Sequence, residues 1–161
     1  MEKTKITYRN WEIEVDRKLT KKAYSKLKIS SSDGCGCAHC LNYSENIEII
    51  FPAEIENLFN ALGIDKRKEL EISHVTKLKN DLHLYSGWFH FKGKFEKKNC
   101  STPLSSGNGR TLNLEQITDN FEIGFTKKIY NTIFEHKSEL VQIEFDCKIP
   151  WIINRKLETN F

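Results

Sequence analysis

The 161-residue sequence predicts an α+β fold: a curved, mainly antiparallel sheet, one principal covering helix at about 52–62, and minor helices elsewhere. Three observations carry that expectation. Apolar residues alternate with polar ones over 11–15 and 141–149, the period-two signature of half-buried strands. Ile55, Leu58, Phe59 and Leu62 recur at helical spacing behind Pro52, and Gly63 stands where a helix ends in the left-handed conformation. Strands and helices do not alternate regularly, which argues against a doubly wound parallel sheet.

In chain order, residues 6–15 read as a first strand, with Trp11, Ile13 and Val15 facing inward between Glu12 and Glu14. Residues 16–29 suit a short helix or an irregular crossing segment. Ser30-Ser31-Ser32-Asp33-Gly34 has turn chemistry, so a bend is expected just before Cys35. One or two helical turns follow Cys40, and then the 52–62 helix. Residues 70–78 and 82–95 read as a hairpin around Asn80-Asp81, with Phe89, Phe91 and Phe95 on one face and Trp88 and His90 on the other. Gly87 is a candidate bulge. Residues 97–110 lack periodicity and read as a long surface loop that carries Cys100 as a reactive thiol. Strand character returns over 111–126, a short helix or wide turn fits 127–137, and the strand at 141–149 buries Cys147 as a core thiol.

At this length one globular domain spanning 1–161 is expected, able to close a core without disulfides. The 25 basic and 22 acidic residues are interspersed along the chain, so the net charge of +3 bears on solubility rather than on partners. A nucleic-acid surface is not expected, because no regular interleaving of basic and aromatic residues is present. No segment has the length and apolarity of a signal peptide or membrane span, and the chain is expected in the cytoplasm. In that reducing compartment an odd count of five cysteines points to free thiols or metal ligands.

The most unusual stretch is Cys35-Gly36-Cys37-Ala38-His39-Cys40. Cys37 and Cys40 have the two-residue spacing with which a knuckle wraps a metal. Cys35 and Cys37 lie on one side of an extended chain, roughly 6.6 Å apart at Cα, a gap that side-chain rotation can close. Tetrahedral zinc needs sulfurs roughly 3.8 Å from one another. Cys35, Cys37 and Cys40 are therefore the candidate metal ligands, zinc the candidate cofactor, and His39, His74, His90 and Cys100 the candidates for a fourth ligand. The same run fits a buried thiol cluster packed under the 52–62 helix, or a redox pair. A thioredoxin-like setting, with the cysteine pair opening a helix after a parallel strand, is not evident.

The run Cys35-x-Cys37-x-x-Cys40-x-Asn42, followed by Phe51-Pro52, Leu62-Gly63-Ile64-Asp65 with Lys68 and Glu69, and Gly87-Trp88-Phe89-His90-Phe91-x-Gly93, resembles a small uncharacterised bacterial family over about residues 35–95. The resemblance implies only that the knuckle and the Trp88 strand belong to one structural unit. No paired-carboxylate, triad, phosphate-loop or H-E-x-x-H pattern is present. The leading expectation is a non-enzymatic domain acting through protein partners, with the knuckle as a structural element. The alternative is a small thiol-dependent enzyme or redox protein using Cys37 and Cys40, or Cys100.

Overall fold

A computed structural model describes residues 2–159 and 161. Its centre is an antiparallel pair of long strands, β4 (His83–Glu96) and β9 (Leu140–Ile149), registered with Phe89 opposite Ile143 and Gly87 opposite Phe145. The seven-stranded sheet runs β1 (Thr4–Tyr8), β2 (Trp11–Val15), β4, β9, β8 (Phe121–Thr126), β7 (Glu115–Thr118), with β3 (Glu71–Lys77) also on β4. All pairings are antiparallel, as the polar alternation predicts. The helices α1 (Arg17–Lys26), α2 (Ser31–Cys35), α3 (Ala38–Glu45), α4 (Ile47–Ile50) and α5 (Ala53–Leu62) fall between β2 and β3. None is long and apolar enough to cross a membrane.

Side-chain alternation sends odd-numbered residues of β4 and β9 inward. Phe89, Phe91, Ile143, Phe145 and Cys147 are buried there against Ile55, Leu58, Phe59 and Leu62 of α5, with Phe59 4.8 Å from Phe89 between ring centroids. Fully burying each such side chain contributes about 1.5–3 kcal/mol. Pro52 caps α5 and Gly63 ends it at φ 82°, with the Ile64 amide bonded to Phe59 O. A Cβ on Gly63 would also stand 2.6 Å from the Arg17 carbonyl oxygen, so the glycine lets α1 lie against the end of α5.

The fold departs from these expectations at several places. Residues 6–15 belong to two strands, because the chain reverses at Arg9-Asn10 with Arg9 at φ 49° and Tyr8 paired to Trp11. Arg9 then holds the hairpin to α5 through Glu54 at 2.7 Å. The bulge lies in β3 between His74 and Thr76, not at Gly87. Gly87 is required for close approach, since a Cβ there would meet Glu71 O at 2.4 Å. Residues 97–110 are not one structureless loop: β5 (Ser101–Pro103) pairs with β6 (Arg110–Leu112) as a ribbon. At its foot Cys100 is fully buried, its amide bonded to Phe125 O, in a seat that Gly124 opens: a Cβ on Gly124 would stand 2.5 Å from Cys100 Cβ. Burial pushes the Cys100 thiol up to about 12, the reverse of the reactive thiol expected from sequence. Finally, α2 and α3 pack on β3 rather than under α5.

Candidate functional site

Two short helices assemble the knuckle. The Ser30 hydroxyl accepts from the Asp33 amide and so caps α2, which replaces the bend expected before Cys35 with a helical turn ending at that residue. The reversal comes one residue later, at Gly36, whose φ of 75° is the left-handed conformation that glycine adopts without penalty. Cys37 is then extended and caps α3, its Sγ accepting from the Cys40 amide at 3.4 Å. The last residue of one helix and the first turn of the next thus face each other.

The pair is held from both ends. Glu69, buried in the approach to β3, accepts from the Ser32 amide at 2.6 Å, and its backbone carbonyl accepts from Ser31. At the other end Asn42 is fully buried. Its Nδ2 donates to Pro150 O at 3.1 Å and its Oδ1 accepts from the Ile152 amide at 2.8 Å, while Asn46 also donates to Pro150 O. Two asparagines therefore fasten α3 to the chain leaving β9, and the position of Cys40 follows.

The three Sγ atoms lie within 4.8 Å of one another, the spacing of thiols able to share one metal ion. Cys35 and Cys37 are exposed and Cys40 is buried. Hydrogen bonding from the Cys37 backbone, and then from the Cys37 and Cys40 thiols, holds the Cys35 thiol below its ordinary value. Burial pushes the Cys40 thiol up.

Among the described residues, the group of His, Cys, Asp and Glu side chains close enough to hold a metal consists of these three cysteines. The four candidates for a fourth ligand are engaged elsewhere. His39 turns to Thr159 at 2.8 Å and stacks on His74 with ring centroids 3.9 Å apart. His74 bonds His83 at 2.8 Å, and His83 bonds Glu158 at 2.8 Å. His90, buried on the opposite face of the sheet, sits between Thr132 and Gln142. Cys100 lies in its own seat against Gly124.

The histidine file was not legible from sequence, because its members come from α3, β3 and β4 and only the register of β3 on β4 brings them together. Burial, then the neighbouring imidazoles, lowers His74 to about 4. Hydrogen bonds from His83 and then Arg155 hold the Glu158 carboxyl at about 2. The C-terminal segment therefore closes over the file as an anion held by His83, Lys77 and Arg155. No family model, curated protein or solved structure matches the chain.

Proposed function

We propose that Cys35, Cys37 and Cys40 bind one zinc ion and that the domain acts through protein contacts rather than catalysis. The observation that carries this reading is the mutual approach of three thiols within 4.8 Å across a helix-to-helix junction. Thiolates select a soft or borderline d10 metal, and zinc takes four ligands in structural sites. With three protein ligands in the group, the fourth position falls to water or to a donor from a partner. A protein partner is favoured by the apolar surface beside the knuckle: Ile29, which lies against Gly34, and Leu41 on α3 are both exposed. Zinc would link the end of α2 to the start of α3 and add its binding energy to folding. Metal analysis of the purified protein, with Cys37→Ser alongside, tests the reading: zinc bound by the parent chain and lost from the variant supports it.

A second reading has its own observation. Cys37 is exposed at the head of α3 and Cys40 is buried one turn in, an arrangement suited to dithiol exchange. Cys37 thiolate would attack a substrate disulfide, releasing one substrate thiolate. Cys40 would then displace the second, leaving a Cys37–Cys40 disulfide and a reduced substrate. Metal-free protein equilibrated in a glutathione redox buffer separates the two readings, because only the second requires that disulfide to form and reverse.

A further inference from the structure

The outward face of the sheet carries a second feature, remote from the knuckle. The β5–β6 ribbon and the segment after β8 roof part of this face and leave a cavity of about 350 Å³ above β3, β4, β8 and β9. Its floor includes Ser86 and Glu144, its aromatic wall Trp88 and Tyr130, and its rim Arg110 and Lys128. That volume lies at the lower end of the range for small-molecule sites.

The charged groups around the cavity are separated rather than paired. Glu144 is only 7% exposed and has one hydrogen bond, from the Gln142 amide. Asp146, two residues along the same strand face, accepts from Ser86. No ion pair among the described residues reaches either carboxylate, and none reaches Arg110 or Lys128. Arg110 donates from Nε and one terminal nitrogen to Ser101, and Lys128 lies 5.8 Å over the Tyr130 ring. A buried carboxylate without a cation is costly, and burial duly pushes Glu144 above its ordinary value. Burial raises the half-buried Asp146 too, with the Ser86 hydrogen bond and Lys148 opposing the shift. Such cost is carried where a ligand supplies the missing charge.

We propose that this cavity binds a small zwitterion of the amino-acid class, its ammonium group on Glu144 and its carboxylate towards Arg110 and Lys128. A simple anion would be repelled by the floor, and a simple amine would leave the rim uncompensated. A metal ion is disfavoured because, among the described residues, Glu144 and Asp146 have no third ligand with them. The Trp88 and Tyr130 rings, 5.7 Å apart, favour a side chain with a flat apolar surface.

The test is a nuclear magnetic resonance titration of the full chain with the common amino acids, read on the Trp88 indole N–H. The best binder is then compared with its decarboxylated amine and its deaminated acid. The zwitterion should bind at least about tenfold more tightly than either relative. Glu144→Gln, which keeps the shape and the Gln142 contact, should reduce affinity by a similar factor, as should Arg110→Gln on the exposed ribbon. The proposal is overturned if no amino acid at about 10 mM shifts the Trp88 signal, if either half-molecule binds as well as the whole, or if both variants bind like the parent. None of these results depends on the knuckle.

Discussion

The Tyr24 hydroxyl closes two hydrogen bonds with the backbone of a single residue, accepting from His90 N at 2.9 Å and donating to His90 O at 2.7 Å. β3 leaves β4 after Trp88 and β2 joins it at Gly93, so the edge at His90 and Lys92 has no strand partner. α1 fills the gap with side chains, since Thr20 Oγ1 also accepts from the Lys92 amide. Tyr24→Phe leaves a buried N–H and C=O unpaired, and its expected cost in a urea melt is about 2–4 kcal/mol. A loss below about 0.5 kcal/mol would mean that water reaches the gap.

The five thiols should divide by burial. In metal-free native protein, Cys35 and Cys37 are expected to react promptly with a thiol reagent, whereas Cys40, Cys100 and Cys147 should react only on unfolding. Peptide mapping after a brief pulse of label checks this, and prompt labelling of Cys100 would contradict its seat under the ribbon. For the same reason Cys100→Ser should cost about 1–3 kcal/mol.

Gly36 and Gly87 separate two reasons for a glycine. At Gly36 a Cβ meets nothing within 4 Å, so only its φ of 75° matters and Gly36→Ala should cost about 1–2 kcal/mol. At Gly87 the φ is ordinary but Glu71 O stands 2.4 Å from the Cβ position. Gly87→Ala should therefore displace β3 from β4 and destabilise the fold more than Gly36→Ala. Denaturant melts that rank the two variants in the other order would refute the assignment.

His74 and His90 are both lowered to about 4, burial being the first cause in each. Their ordinary value is near 6.5, so between about pH 6.5 and 4 the unfolded chain binds more protons than the native one. Both residues thus subtract stability as pH falls through that window. Glu158, held at about 2, contributes stability above its ordinary value near 4.5 that is lost as pH falls from there to about 2. Imidazole resonances of His74 and His90 should stay those of the neutral ring down to about pH 4. Titration near 6.5 would show the two rings to be solvated.

The sheet, the 52–62 helix, the Gly63 stop and the core position of Cys147 were legible because period and capping are local signals. The turn at Arg9-Asn10 was hidden, because Arg9 is an unusual residue for positive φ and the alternation of Trp11–Val15 masked the break before it. The β5–β6 ribbon was hidden for a different reason. Its strands are three residues each, too short for periodicity, and the burial of Cys100 depends on Gly124, more than twenty positions away. At the knuckle, spacing revealed the three clustered thiols, but not that Cys37 would cap a helix. Nor did it show that Asn42, in the next turn, would fasten that helix to Pro150 and Ile152.

The proposed metal centre rests on the three clustered thiols. Native mass spectrometry of the purified chain, with elemental analysis of the same sample, tests it most directly. One zinc per chain is expected, absent from Cys37→Ser and Cys40→Ser, with a lower melting temperature after chelation. A chain that remains metal-free after exposure to zinc, and melts at the same temperature with and without chelator, would contradict it.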